Sequence, residues 1–93
     1  MIKSFRDKET ELVWQRRFSK RMAQDSQRKA KMKLDLIEAA DELDDLRVPP
    51  GNRLELLSGD RAGQHSIRIN DRWRICFVWK DGGAWDVEIT DYH

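Results

Sequence analysis

The sequence predicts an α+β domain, with an antiparallel β-sheet packed against two N-terminal helices. Three observations predict it. Apolar residues recur at helical spacing up to residue 46, then switch to alternation after the breaker Val48-Pro49-Pro50-Gly51-Asn52. The alternating segments that follow are joined by links too short for a parallel crossover, so consecutive strands must run antiparallel. With 93 residues the chain is expected to form a single domain over 1–93.

The elements follow in order. Ile2-Lys3-Ser4-Phe5 reads as a short strand. Asp7 is placed to cap a helix running to about residue 18, with Glu9 and Glu11 near its positive end. Trp14 and Phe18, four apart, should face the core from it. A longer helix is expected from residue 25 or 26 to 46. Met32, Leu36, Ala39, Leu43 and Leu46 form its apolar stripe, widened by Ile37 and Ala40. Strands are expected over 53–57, 64–69, 73–79 and 85–91. A longer loop lies at Ser58-Gly59-Asp60-Arg61-Ala62-Gly63, and tight turns at Asn70-Asp71 and Asp81-Gly82-Gly83.

Composition narrows the class. Charged residues are 38% of the chain, above the usual figure of about 25%. Four tryptophans and three phenylalanines supply the large groups a small core needs. A single cysteine, Cys76, rules out an internal disulfide, and its apolar strand suggests a small buried hydrophobe. No apolar run is long enough to span a membrane and no secretory signal opens the chain, so a soluble, cytoplasmic protein is expected. Nothing supplies a metal-ligand cluster, and no metal or cofactor is expected.

The net charge of +1 conceals two opposed patches. Residues 16–33 hold eight bases against the lone Asp25, a balance of +7. Residues 35–45 hold six acids and no base, a balance of −6. Along the second helix this order runs against the helix dipole. An ordinary charged outer face explains it, and so does a basic end that touches phosphate with the acidic end turned away.

Alternation sorts the strand residues by face. Leu54, Leu56, Ile67, Ile69, Ile75, Phe77, Trp79, Val87 and Ile89 fall on the core side. Arg53, Glu55, Arg68, Arg74, Glu88, Thr90 and Tyr92 fall on the other. Cross-strand ion pairs on a solvated face would account for that set. Three arginines on three strands also suit a phosphate backbone, and a tyrosine beside them can stack on a base or move a proton. Asp91 and His93 share the core parity at a strand end, where bulges are common. His65 also has core parity and reads as a half-buried histidine with its hydrogen bonds met.

The block from Arg53 through the Gly59-Asp60-Arg61 loop to Ile67 is distinctive, as are Asn70-Asp71-Arg72-Trp73-Arg74-Ile75-Cys76-Phe77 and the terminal Asp91-Tyr92-His93. With the opening Met1-Ile2-Lys3-Ser4-Phe5 they resemble the HigB toxins of type II toxin–antitoxin systems, in the RelE/ParE superfamily. The resemblance covers nearly the whole chain. It implies a RelE/ParE-like toxin fold and a ribosome-dependent endoribonuclease, an mRNA interferase that inhibits translation. It also implies a HigA-type helix-turn-helix antitoxin as partner, with operator DNA met only indirectly through that antitoxin. The functional positions carried over are Arg74, Asp91, Tyr92 and His93. This chain has Glu55 where some members place a histidine, Ser58 where some place a lysine, and Arg72 where some place an asparagine.

The mechanism these residues suggest is attack of an RNA 2′-OH on its own 3′-phosphate, which needs a base, cations for the phosphate and an acid for the leaving oxygen. Arg74 and Arg68 would clamp the phosphate. Glu55 or His93 would be the base, Asp91 would orient the imidazole, and Tyr92 would orient the target or donate a proton. Arg53, Arg61, Arg68, Arg72, Lys29 and Lys33 are the candidate RNA- and phosphate-binding residues. Two other functions fit the same residues: a ParE-like toxin that poisons gyrase, and a non-catalytic RNA- or protein-binding domain whose arginine face is its whole function.

Overall fold

In the computed structural model, which describes residues 1–91, two helices pack on one face of a four-stranded sheet. The helices are α1 (Lys8–Trp14) and α2 (Gln24–Ala39). The strands are β1 (Glu55–Leu56), β2 (His65–Arg68), β3 (Arg74–Lys80) and β4 (Gly83–Thr90), in spatial order β1-β2-β3-β4 with every pair antiparallel. The α+β architecture expected from the change of period is therefore present.

Helix α1 begins where the sequence placed it. The Asp7 carboxylate accepts the amide of Thr10 at 2.8 Å, satisfying one of the donors a helix start leaves open. It ends at Trp14 rather than near residue 18. Arg16 adopts a left-handed φ of 59°, its amide bonds the Val13 carbonyl, and the Arg17 amide reaches back to Leu12. That is a Schellman closure formed without glycine. Phe18 falls beyond it and is 74% exposed, so only Trp14 of the expected pair packs inward, against Phe5 at 6.3 Å.

Helix α2 buries Ala30, Leu34 and Ile37, a stripe rotated from the expected one, and Met32 is left 65% exposed. It stops at Ala39. Asp45 turns its carboxylate back to the amides of Asp41 and Glu42, each at 3.0 Å, and this local capping starts a separate 3₁₀ turn, Leu43–Arg47. Leu46 still reaches the core from that turn.

The core lies between α2 and the inner face of the sheet, with Phe77, Ile75, Ile67, Ile89 and Val87 all buried from the strands. Residues 2–5 lie alongside β4 in parallel, bridging Ile2 to Ala84 and Phe5 to Val87. Gly83 permits that approach, since a Cβ there would lie 2.8 Å from the Met1 carbonyl. The ribbon stops at Val87. Beyond it, the Ile89 amide donates to the buried Thr10 hydroxyl at 2.9 Å, and Arg21 bonds the Ile89 carbonyl at 3.1 Å. Helix α1 and its connector thus hold the last turn of β4 in place.

Candidate active site

Strand register builds the site. Glu55 faces Ser66, Ser66 faces Cys76, and Cys76 faces Glu88 across the sheet. One row further along, Arg68 faces Arg74 and Arg74 faces Thr90. Alternation puts both rows on the side away from the helices. The structure thus brings together Glu55, Arg68, Arg74, Glu88 and Thr90 as expected. It adds Ser66, which shares the parity of Arg68 and was legible on that ground but carries no charge to draw notice.

Arg74 is the centre of the arrangement. Its side chain is 14% exposed. Nε donates to Ser66 Oγ at 2.9 Å and Nη2 to the Arg53 carbonyl at 2.8 Å, with a longer contact to the Ser66 carbonyl at 3.5 Å. The Glu55 carboxylate stays 3.9 Å away. Arg53 is not part of a strand, contrary to expectation. It closes the 3₁₀ turn Pro50–Asn52 in the left-handed conformation, φ 46° and ψ 57°, and its backbone carbonyl anchors Arg74.

The other arginines are engaged differently. Arg61 Nη1 donates to Glu88 at 3.0 Å and to Gln64 at 3.2 Å, and Arg6 lies 3.9 Å from the same Glu88 oxygen. Arg68 is paired with the exposed Asp71. Arg72 donates to Asp91 at 3.0 Å and lies over the Trp73 ring at 4.7 Å. Asp91, expected to orient an imidazole, is exposed just past β4 and bonds Arg72 instead. Tyr92 and His93 lie outside the described residues.

Basic residues of α2 extend the site. Lys33 donates to Asn52 Oδ1, and its pKa is lowered by burial, then by the charges of Arg68 and Lys29. Those last two influences place Lys29, Lys33 and Arg68 in one cationic patch. Asn52 is fully buried and donates to the carbonyls of Leu46 and Val48, so it locks the turn on which Arg53 sits.

Two further groups have settled protonation. Burial pushes the Cys76 thiol up to about 11, which makes it a buried hydrophobe, as its setting suggested. His65 is half-buried and stacks on Phe77 at 6.4 Å. Its hydrogen bonds are not all met as expected: the buried Nδ1 has no partner among the described residues. Burial, then the charge of Arg47, lowers its pKa and keeps the ring neutral at pH 7. Leu56, expected in the core, is 69% exposed because β1 is a two-residue edge strand. Among the described residues no three His, Cys, Asp or Glu side chains converge as a metal site would require. No helix of the described residues is long and apolar enough to cross a membrane.

Two helices thus back a four-stranded antiparallel sheet whose open face gathers Arg68 and Arg74 with Glu55 and Glu88. The fold matches the structure of the YoeB-YefM complex from Staphylococcus aureus with a TM-score of 0.62, covering 100% of this chain and 98% of that one at 17% identity. At that identity the likeness is one of fold. A family described as the RelE-like toxin of type II toxin-antitoxin system HigB matches residues 3–93. Toxin HigB-1 of Vibrio cholerae serotype O1 is 43% identical over 60 residues, which is 64% of this chain and 63% of that protein. Endoribonuclease HigB of Proteus vulgaris is 31% identical over 93 residues, the whole length of both chains. The chain belongs to the HigB-like family of type II toxins, proteins whose partner is an antitoxin.

Proposed function

We propose that this chain is a cytoplasmic endoribonuclease that cuts mRNA on the ribosome and is neutralised by a HigA-type antitoxin. The observation that carries the reading is the state of Arg74. Arg61, Arg68 and Arg72 each hydrogen-bond a carboxylate, whereas the hydrogen bonds of Arg74 go to a hydroxyl and backbone carbonyls. A guanidinium hydrogen-bonded to neutral acceptors, with its nearest carboxylate, Glu55, at 3.9 Å, is less neutralised than one bonded directly to a carboxylate and is the better partner for an incoming phosphate. The whole-length match to an endoribonuclease supports the same chemistry.

In this mechanism Arg74 stabilises the charge that builds on the scissile phosphate as the neighbouring 2′-OH attacks. Glu55, 3.9 Å from Arg74, is assigned the role of the base that takes the hydroxyl proton, a reading its nearness to the phosphate-binding arginine supports. Tyr92 and His93 follow directly on Asp91 and are assigned the remaining proton transfer, a role histidine suits at neutral pH. No step is routed through a metal. Arg68, Lys33 and Lys29 extend the positive surface along the RNA backbone, and the basic residues 16–33 dock on ribosomal RNA.

The test is a translation reaction with a defined reporter mRNA, followed by mapping of new 5′ ends. Wild-type protein should produce ends inside the reading frame, and Arg74→Ala should lower their rate by at least about a hundredfold. Docking should weaken steeply between about 50 and 200 mM salt. Growth arrest without new mRNA ends would overturn the proposal in favour of a gyrase poison, and undiminished cleavage by Arg74→Ala would remove the site from it.

A further inference from the structure

Resting on the reading of Arg74 as the phosphate-binding residue, we infer that Ser66 is a positioning residue that sets the direction of the Arg74 guanidinium. Two arms of the guanidinium are engaged by protein: Nε by Ser66 Oγ at 2.9 Å, and Nη2 by the Arg53 carbonyl at 2.8 Å. Two hydrogen bonds from different nitrogens fix both the place and the roll of a planar group. The third nitrogen, Nη1, is the one the anchors leave to meet substrate.

The geometry has a sequence basis on three elements. Ser66 is central in β2 and directly opposite Cys76, two residues from Arg68, the register partner of Arg74, so its hydroxyl is a diagonal neighbour of Arg74 on the same face and within reach of Nε. It is fully buried, although it lies on the open face. A fully buried hydroxyl among charged side chains has little freedom to turn and therefore makes a rigid acceptor. The Arg53 carbonyl is aimed by the left-handed turn that Asn52 locks behind it. The cationic group is thus held by a buried hydroxyl on one strand and a backbone carbonyl in a turn.

The bond from Ser66 carries no charge of its own. A carboxylate at this position would hold the guanidinium as firmly while neutralising it, as Glu88 does for Arg61 and Asp91 does for Arg72. Serine supplies direction without cancelling the field. The effect on catalysis should therefore fall on the rate with substrate bound rather than on binding of the RNA, because a tilted guanidinium still attracts phosphate but stabilises the developing charge less well.

The experiment is a double-mutant cycle with Ser66→Ala and Arg74→Ala, reading single-turnover cleavage of the reporter mRNA on translating ribosomes, with melting curves for each variant. Ser66→Ala should lower the saturating cleavage rate by roughly tenfold to a hundredfold with half-saturation changed less than about threefold. In the Arg74→Ala background it should cost at least about tenfold less than in the wild type, since the effect on the rate passes through the arginine. Ser66→Thr, which keeps the hydroxyl, should retain most of the rate.

Equal losses from Ser66→Ala with and without Arg74 would overturn the inference and make Ser66 a packing residue. A wild-type rate for Ser66→Ala would also overturn it. Should Ser66→Ala fail to fold, Ser66→Thr carries the test against Ser66→Val, which has the same shape without the oxygen: the inference requires that only Thr supports cleavage. Should Arg74→Ala itself cleave normally, it is the assignment of the site that fails.

Discussion

Removing the Thr10 hydroxyl should loosen the C-terminal end of β4. Thr10 is fully buried on α1, and its Oγ1 accepts the Ile89 amide at 2.9 Å. The N-terminal ribbon covers β4 only as far as Val87, so this hydroxyl takes the place of the next backbone acceptor. In Thr10→Val the shape is kept but the amide is stranded in a dry environment, at a cost of about 1–3 kcal/mol. A 93-residue domain has about 5–14 kcal/mol in total. At about 4–8 °C per kcal/mol, a central loss of about 2 kcal/mol lowers Tm by about 8–16 °C. Thr10→Ser keeps the oxygen and should lose about 1 kcal/mol or less, for one methyl group. Thermal unfolding followed by far-UV circular dichroism measures both. A Tm for Thr10→Val within about 2 °C of wild type, or equal losses for Val and Ser, would refute the idea that helix α1 supplies the missing rung of β4.

Three other outcomes follow from the core and its titratable groups. His65 has a folded pKa below its ordinary 6.5, through burial and then Arg47, so the native state binds fewer protons than the unfolded chain. Its contribution is full above about pH 6.5 and is lost as pH falls through the folded value; urea titrations should show that acid-side slope, and His65→Phe should flatten it. Cys76, with its thiol near 11 and its side chain buried, should be only about one thousandth thiolate at pH 8. A thiol reagent should label it after denaturation only, and fast stoichiometric labelling of the native protein would contradict its burial. Phe77→Ala empties the centre of the core, where the ring is fully buried against His65 and Trp79. It should cost about 3–5 kcal/mol, read as a drop in the urea midpoint.

The fold class was legible because period and link length are local properties. Alternation alone put Ile67, Ile75, Phe77, Val87 and Ile89 on the buried side and Glu55, Arg68, Arg74 and Glu88 on the open one, since a strand has only two faces. Helix ends were not legible in the same way. Arg16 takes a left-handed conformation that sequence preference assigns to glycine, and Phe18 is thereby carried into solvent. The apolar stripe of α2 continued on paper to Leu46, but capping by Asp45 ended it at Ala39.

The candidate site divides along the same line. By itself the sequence determined which charged side chains share a face, and the terminal motif and the Gly59-Asp60-Arg61 loop determined the resemblance. Only the tertiary structure decided which partner each arginine meets. Arg61, Arg68 and Arg72 hydrogen-bond carboxylates of Glu88, Asp71 and Asp91, while Arg74 hydrogen-bonds Ser66 and the backbone of Arg53, with the Glu55 carboxylate farther off at 3.9 Å. The physical reason is that parity is set within one strand, whereas the partner of a long side chain is set by register between strands and by turns far away in sequence.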